Sequence, residues 1–320
     1  MVDDGTPTFA AAAVTGWLRT LEGWEQATVT AMDPLDGYSS INRRLHVAHG
    51  AAERLVLKVQ PASGIFEPYD VLREATVLRC LGPTAVPVPA VVASEADPSV
   101  LGQPFFAMEW IDAPHLGVPA SEGGPDALPF ESFIGAVVQV HAVEVEAAGL
   151  DVLGVPSSAV EAFQGEVELV AERMATRGLE DDPLLAEARD RLREVQPEGG
   201  RLGLCQGDIN VFNYLTRDGE IVGVVDWEQA RISDPRSDLG QLLALMVLKG
   251  VPLGPADDEG FVSMYRDAGG VVAPGMEAFR AFWFFQLGFI HRAFTAGAGE
   301  EPWYSWAQIE RLLPQSLDRL

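Results

Sequence analysis

Lysine is scarce in this sequence, and basic residues as a whole are outnumbered by acidic ones. Lys58 and Lys249 are the only lysines among the 22 basic residues of the 320-residue chain, whereas aspartate and glutamate number 47. The formal net charge is therefore −25. A chain this acidic repels the phosphates of nucleic acids and the surface of an anionic membrane. Neither a nucleic acid nor a membrane is therefore expected as a partner.

Cysteine is also scarce, and long apolar runs are missing. Cys80 and Cys205 are too few for a disulfide framework and are typical of a reducing compartment. The first residues carry two aspartates where a secretion signal would carry positive charge. The most apolar stretches, residues 239–248 and 282–290, are too short to span a bilayer. We therefore expect a cytoplasmic protein with enough apolar residues, 48% of the chain, to bury a core.

The first third of the chain has the patterns of strands with one helix. Residues 45–48 and 54–59 flank a short loop that contains a glycine, which predicts a β-hairpin. The spacing of apolar residues predicts a helix over residues 69–81. Two further strands are expected at residues 88–93 and 105–111.

Helical patterns dominate the rest of the chain. A long apolar helix is expected over residues 131–148, and another helix is expected to begin at Asp182 followed by proline. Short strands are expected within residues 202–225. The predicted fold class is α+β with two lobes: an antiparallel-sheet lobe with one helix at residues 1–110, and a mostly helical lobe at residues 111–320.

Three polar residues in the second lobe carry the strongest chemical signal. Four residues separate Asp208 from Asn213, and Asp226 follows the apolar strand pattern of residues 221–225. Phosphoryl transfer needs one carboxylate to accept the proton of the attacking hydroxyl. It also needs an amide oxygen and a second carboxylate to hold Mg²⁺ on the phosphates. Each residue alone could belong to an ordinary turn or cap, but their order and spacing together predict a phosphotransferase.

These segments resemble the aminoglycoside phosphotransferase family, whose small-molecule kinases have a protein-kinase-like fold. The family's catalytic loop, His-Gly-Asp-x-x-x-x-Asn, is matched from Gln206 to Asn213, and its Asp-Trp-Glu follows at residues 226–228. A segment of the type Asp-Pro…Asp-Leu is matched at residues 234–239. The sequence departs from the family at Gln206, which replaces the usual histidine and can still form hydrogen bonds.

The resemblance implies roles for the matched residues and a nucleotide cofactor. Asp208 corresponds to the catalytic base, and Asn213 and Asp226 correspond to the ligands of Mg²⁺. The implied phosphoryl donor is ATP, with GTP as the alternative. The implied acceptor is a hydroxyl group of a small molecule.

A kinase-like site also needs a lysine for the nucleotide phosphates. Lys58 lies in the predicted strand at the corresponding place, in a chain that puts almost no lysine elsewhere. At 100° per residue, Glu74 falls on the apolar side of the helix at residues 69–81. A carboxylate on that side is costly unless it is paired. We therefore expect Glu74 to pair with Lys58, the alternative being a half-exposed glutamate at the helix edge.

The resemblance implies two further nucleotide contacts in the first lobe. The loop at residues 35–42 is similar to the family's phosphate loop, where backbone N–H groups of Ser39 and Ser40 would contact phosphates. Residues 106–110 occupy the position of the hinge that meets the adenine edge. The implied hinge contacts are Met108, Glu109 and Trp110.

Several other residues of the second lobe are candidates for contacts with the acceptor or the phosphates. In the family, the helix at residues 279–294 borders the acceptor pocket, although its aromatic residues are typical of a core. The candidate acceptor contacts there are Trp283, Gln286 and His291. Arg231 and Arg236 follow Asp226 closely and are candidates for additional positive charge near the phosphates. His141, in an otherwise apolar helix, is expected to be packed and hydrogen-bonded rather than reactive.

The sequence thus predicts an ATP-dependent phosphotransferase that moves the γ-phosphoryl group to a small-molecule hydroxyl. An antibiotic such as an aminoglycoside or a macrolide is one candidate acceptor, and the surplus of carboxylates favours a cationic one. Solubility explains the same surplus without any substrate. The alternative is a nucleotide-binding pseudokinase with a regulatory role, suggested by Gln206 and the single glycine of the phosphate loop.

Overall fold

The computed structural model describes residues 10–35, 40–49, 51–126, 129–250, 258–298 and 302–320. The chain divides into two compact units. The first unit comprises Met1–Pro83 and Pro87–Asp112, and the second comprises Thr84–Val86 and Ala113–Leu320. None of the helices in the described residues is both long and apolar enough to cross a bilayer.

The first unit is built on one antiparallel sheet of five strands. The strands are β1 (Thr28–Leu35), β2 (Ile41–His49), β3 (Ala51–Val59), β4 (Val91–Glu95) and β5 (Phe105–Glu109). Their order in the sheet is β1-β2-β3-β5-β4, so β3 is the central strand. The predicted hairpin is the β2–β3 pair, in which Leu45 lies opposite Leu55. Lys58 lies on the central strand, opposite Asn42 on one side and Phe106 on the other.

Among the described residues of the first unit, two helices accompany this sheet. The predicted helix is α2 (Val71–Leu81), which begins two residues after the expected start. The Asp70 side chain caps it by accepting the backbone N–H groups of Leu72 and Arg73, both at 3.0 Å. The other helix, α1 (Ala11–Leu18), was not expected from the sequence patterns. It is held by tertiary packing, since Trp17 meets Phe105 of β5 edge to face with ring centroids 4.7 Å apart.

The second unit is mostly helical. Its helices are α3 (Phe130–His141), α4 (Ala159–Thr176), α5 (Pro183–Arg193), α6 (Arg236–Lys249), α7 (Asp258–Asp267), α8 (Met276–Ala298) and α9 (Trp306–Leu317). Two small antiparallel sheets lie between α5 and α6 in the sequence: β6 (Gly203–Cys205) with β9 (Arg231–Ser233), and β7 (Tyr214–Arg217) with β8 (Glu220–Val224). The predicted fold class, an antiparallel sheet followed by a mostly helical part, is confirmed.

The end of α3 differs from the sequence prediction. A helix was expected to continue to residue 148, but α3 ends at His141. There Arg201, far along the chain, donates a hydrogen bond of 3.1 Å to the His141 carbonyl. A helix end normally leaves its last carbonyls without partners. This long-range contact satisfies one of them, which local sequence patterns do not show.

Helix α6 lies in the core of the second unit and is buried on nearly all sides. It packs closely on α8: a Cβ atom added at Gly240 would lie 2.8 Å from the backbone carbon of Phe279. This close approach requires glycine at residue 240. Four polar side chains of α6 are consequently enclosed by protein, where each must find a partner: Arg236, Ser237, Asp238 and Gln241.

Leu57, in the central strand β3, provides a test of the sheet core. Its side chain is 0% exposed, so Leu57→Ala should lower the free energy of unfolding by about 2–5 kcal/mol through lost burial and a cavity. The same substitution at Leu320, which is 46% exposed, should change it by no more than about 0.5 kcal/mol. Urea denaturation measures both values, and equal effects at the two positions would contradict this account of the core.

Candidate active site

The expected ion pair between Lys58 and Glu74 is present in the first unit. The Lys58 Nζ atom lies 2.9 Å from Oε1 and 2.7 Å from Oε2 of Glu74, and the two side chains are 5% and 1% exposed. Strand β3 supplies the lysine and helix α2 the glutamate. Burying two charges is costly even when they are paired. Because such a pair is weak evidence for stability, Lys58 and Glu74 are a candidate functional pair.

The hinge and phosphate-loop residues remain predictions. Met108 is buried in β5, whereas Glu109 is exposed. The backbone N–H groups of Glu109 and Trp110 already donate within the first unit, to Ala90 at 2.8 Å and to Arg54 at 3.3 Å. A nucleotide base would therefore have to meet other groups of this segment.

The phosphate loop is described only in part. Ser39 lies outside the described residues. Ser40 is described, and its hydroxyl donates a hydrogen bond of 3.1 Å to the Asn42 side chain. The proposed contact of these serines with phosphates stays a prediction.

In the second unit, the structure brings Asp208 and Asn213 together. The Asn213 side-chain nitrogen donates to the Asp208 backbone oxygen at 2.8 Å and to its Oδ2 at 2.9 Å. Gln241, from α6, donates to the other carboxylate oxygen, Oδ1, at 2.9 Å. Burial raises the pKa of the Asp208 carboxyl, the negative charge of Asp226 raises this pKa further, and the hydrogen bonds from Gln241 and Asn213 lower it. The carboxylate is therefore fixed in direction and poised to accept a proton.

Asp226 follows β8 in an unusual backbone conformation. Its φ is +63°, in the left-handed region that residues other than glycine rarely adopt. The preceding residue is tied to the catalytic loop, because the Val225 N–H donates to the Asn213 carbonyl at 2.9 Å. Strained backbone of this kind is found where the surrounding structure holds a functional side chain in place. The backbone conformation therefore indicates Asp226 as a candidate functional residue, independently of its sequence pattern.

The oxygen atoms of this set fit a divalent cation such as Mg²⁺. Asn213 uses its amide nitrogen to bond Asp208, so its amide oxygen is the atom left to act as a ligand. The proximity of the Asp226 charge raises the pKa of Asp208, and a bound cation would relieve this repulsion. Carboxylate and amide oxygens are the ligands that Mg²⁺ prefers in proteins.

Gln206, which replaces the usual histidine, is fully buried and well bonded. Its side-chain nitrogen donates to the Val225 carbonyl at 2.8 Å, and its side-chain oxygen accepts the Tyr214 hydroxyl at 2.7 Å. Glutamine thus links the catalytic loop to the residue before Asp226. Both polar ends of its side chain are satisfied.

The catalytic loop is anchored to α6 through Asp238. The Asp238 carboxylate accepts the backbone N–H groups of Gln206 at 2.8 Å and Gly207 at 3.0 Å. His141 Nε2 lies 3.2 Å from Asp238 Oδ2, and its Nδ1 lies 2.9 Å from the Tyr265 hydroxyl. Burial by itself would raise the pKa of Asp238, but these contacts outweigh burial and lower it. The expectation of a packed, hydrogen-bonded His141 is confirmed.

Gln241 is the site residue that the sequence analysis missed. Besides holding Asp208, its side-chain oxygen accepts the Ile209 N–H at 2.7 Å. Asp238 and Gln241 are three residues apart and so share one face of α6. Asp238 and Gln241, two polar residues at this spacing in a largely apolar segment, were the sequence signal that could have indicated Gln241 as a site residue.

Arg231 and Arg236 do not supply free positive charge. Arg231 donates to the Glu166 carboxylate at 2.8 Å, and Arg236 donates to the Asp234 carboxylate at 2.7 Å. Arg236 is also fully buried. The expectation that these arginines add charge near the phosphates is wrong, because buried carboxylates neutralise both.

The three candidate acceptor contacts lie on α8 in different environments. Trp283 is buried and donates its indole N–H to the Ser237 carbonyl at 2.6 Å, and His291 is buried as well. Gln286 is partly exposed. All three stay predictions as acceptor contacts, and Gln286 presents the most accessible surface.

Comparisons with known proteins show which family matches the sequence of this chain and which structures share its fold. The sequence model of the phosphotransferase enzyme family (APH) matches residues 36–282, more than half of the chain. An aminoglycoside 3'-phosphotransferase of Streptomyces fradiae is 28% identical over 66% of this chain and 78% of its own length. A crystal structure of a putative aminoglycoside phosphotransferase from Ralstonia eutropha covers 97% of both chains with a TM-score of 0.72 at 21% identity. This last likeness shows a shared kinase-like fold.

A second group of relatives consists of much longer proteins. A probable acyl-CoA dehydrogenase of Arabidopsis thaliana is 27% identical over 63% of this chain. The matched part is 26% of that protein. The chain therefore spans about a quarter of the length of this relative.

Gln241→Leu tests how Asp208 is held. Loss of the donor to Oδ1 should raise the pKa of Asp208 further, because a hydrogen bond that stabilises the charged form is removed. The unpaired Ile209 N–H should cost about 1–3 kcal/mol of stability. Carbon-13 NMR titration of aspartate side chains measures the pKa. Gln308→Leu is the matched control, since Gln308 bonds the Leu248 carbonyl instead, and an equal pKa shift in both variants would refute the assignment.

Glu74→Ala tests the buried ion pair. The uncompensated charge of Lys58 should lower the free energy of unfolding by about 3–5 kcal/mol. The double variant Lys58→Met with Glu74→Leu removes both charges and should recover most of that loss. Urea denaturation of the three proteins gives the comparison, and a double variant no more stable than Glu74→Ala would contradict it.

Proposed function

The chain belongs to the phosphotransferase enzyme family, and from this premise we propose that it is a small-molecule kinase using ATP. The observation that carries the proposal is the Asp208 carboxylate, held by Asn213 and Gln241 beside Asp226. Asp208 is the proposed base.

The proposed reaction is transfer of the γ-phosphoryl group to an acceptor hydroxyl. The hydroxyl oxygen forms a bond to the γ-phosphorus, and its proton passes to the Asp208 carboxylate. The bond from the γ-phosphorus to the oxygen shared with the β-phosphorus breaks, and ADP leaves with that electron pair. Such transfer depends mostly on positioning and charge stabilisation, which suits a carboxylate held at both oxygens.

Lys58 is the proposed contact for the α- and β-phosphates, and Glu74 positions it. The buried pair fixes the ammonium on the central strand of the first unit. An ordered cation loses little conformational freedom when it binds a phosphate. ATP is the proposed nucleotide, with GTP as the alternative.

Asn213 and Asp226 are the proposed ligands of Mg²⁺. When bound, the ion would neutralise charge that develops on the phosphates. The chain's own contribution is to orient the two oxygen ligands, through the Asn213–Asp208 bond and the Val225–Asn213 bond.

The regulatory pseudokinase is the less favoured alternative. One of its two motives was Gln206, and that side chain is fully bonded between Val225 and Tyr214. The other, the single glycine of the phosphate loop, lies outside the described residues. The exchange of histidine for glutamine therefore leaves no defect in the loop that would argue against catalysis. The hydrogen bonds of Asp208 with Asn213 and Gln241 support catalysis over a purely regulatory role.

An amine-bearing hydroxyl compound is the proposed class of acceptor. The Streptomyces fradiae relative is an aminoglycoside 3'-phosphotransferase, and the net charge of −25 attracts cations. Aminoglycosides are therefore the first compounds to test, and macrolides the second. A phosphoryl-transfer screen with Mg-ATP should also include sugars and amino alcohols.

Asp208→Asn tests the proposed base. Transfer should fall by about 10²- to 10⁴-fold, the usual contribution of a general base, while binding of Mg-ATP is retained. The matched control is Asp218→Asn, in the β7–β8 turn, where φ is +53° and asparagine is well tolerated. Transfer is followed with radiolabelled ATP, and nucleotide binding by calorimetry. Undiminished transfer in Asp208→Asn would exclude the proposed role.

A further inference from the structure

Lys249, the last residue of α6, lies between two exposed aromatic rings of the second unit. Its Nζ atom is 5.3 Å from the ring centre of Phe212 and 4.9 Å from that of Trp303. Both distances are within the range of cation–π attraction. Phe212 is 50% exposed and Trp303 56% exposed. Among the described residues, these two rings are the partners found for the ammonium, and no carboxylate is.

The Phe212 ring is held in place by its surroundings. A Cβ atom added at Gly117 would lie 2.6 Å from a carbon of this ring, so the ring packs directly on glycine backbone. The Phe212 N–H donates to the Asn210 side chain at 2.8 Å. The first contact restrains the ring, and the second fixes the backbone that carries it, before any ligand binds.

The Trp303 ring is held as well. It packs edge to face on Tyr304, with ring centroids 5.0 Å apart, and the Tyr304 hydroxyl donates to the Leu287 carbonyl at 2.8 Å. Gln308 of α9 bonds the Leu248 carbonyl at 2.9 Å, which ties this region to the end of α6. The two rings therefore form a preorganised cation site rather than two independent surface residues.

This site lies near the catalytic residues in the sequence and along α6. Phe212 immediately precedes Asn213 in the catalytic loop. Lys249 follows Gln241, the partner of Asp208, by eight residues, which is about 12 Å along the helix axis. A hydroxyl compound with more than one ring could extend from Asp208 to the aromatic pair.

The environment of Lys249 makes its ammonium replaceable. Partial burial lowers the pKa of Lys249, because the charged form loses water. The two aromatic rings offset this loss without a formal negative charge. A ligand cation could meet the same ring faces, and the flexible lysine side chain could then return to water.

We propose that Phe212 and Trp303 form a subsite for an ammonium group of the acceptor, which Lys249 occupies until the acceptor displaces it. The identification of this ligand as the phosphoryl acceptor rests on the proposed function, whereas the binding of an organic ammonium ion to the two rings does not. The subsite would select hydroxyl compounds that carry a positive charge at a distance from the reacting oxygen. In a purely structural role, Lys249 would instead stay between the rings whatever cation is added.

The scarcity of lysine allows a direct experiment. Reductive methylation of the folded protein with ¹³C-formaldehyde labels the exposed Lys249 and the amino terminus, whereas Lys58 is buried in its ion pair. The Lys249→Arg variant identifies the Lys249 signal by NMR. Ring currents should displace this signal from its position in the denatured protein. Tetramethylammonium chloride is then titrated without ATP, against sodium chloride and the neutral compound tert-butanol.

Tetramethylammonium should return the Lys249 signal saturably toward its denatured position, and neither control should do so. Trp303→Leu and Phe212→Leu should each weaken tetramethylammonium binding about three- to fivefold. Trp24→Leu, a matched change in the first unit, should not. Lys249→Met should bind tetramethylammonium more tightly in calorimetry, because the competing ammonium is gone.

The outcomes separate this proposal from the proposed function. A Lys249 signal that tetramethylammonium does not move, or that tert-butanol moves equally, overturns the subsite even if the protein transfers phosphate. Displacement that requires both rings supports the subsite. If no phosphoryl transfer is found while displacement persists, the proposed function fails and the ammonium site stands.

Discussion

The buried carboxylate of Asp238 provides the contact on which the rest of the candidate site depends. It accepts the backbone N–H groups of Gln206 and Gly207, the two residues before Asp208. Gly207 has a φ of +81° and no room for a side chain. Leaving two successive buried N–H groups unpaired would be costly, and the two oxygens of one carboxylate supply an acceptor for each. The direction in which Asp208 leaves the loop follows from this contact.

Burial increases the contribution of each neighbouring polar contact to the stability of the site. Asp238 and Gln241 extend from one face of a helix that is buried along most of its length. In such surroundings, the interaction between charges is stronger than in water and an unpaired polar atom is more costly. The raised pKa of Asp208 and the strained backbone of Asp226 are both sustained by this fully bonded setting. Lys58 and Glu74 follow the same logic in the first unit, where each charge is tolerated because the other is present.

Local patterns predicted the elements whose causes are local. The β2–β3 hairpin, the helix α2 and the start of α5 after Asp182 all depend on neighbouring residues, and the structure confirms them. The patterns did not predict α1, which packs through Trp17 on Phe105, or the early end of α3, where Arg201 bonds the His141 carbonyl. Those features depend on residues far apart in the chain, which short-range periodicity does not report.

The chemical identity of the candidate site was already determined by the sequence. The order and spacing of Asp208, Asn213 and Asp226 indicate phosphoryl transfer, because that reaction needs a base and oxygen ligands whatever fold presents them. Only the tertiary structure decided which charged groups remain available to a ligand. Arg231 and Arg236 resembled free cations in the sequence, yet Glu166 and Asp234 neutralise them inside the second unit. Which side chains meet in a core depends on how distant segments pack, and burial then requires those that carry charge to pair.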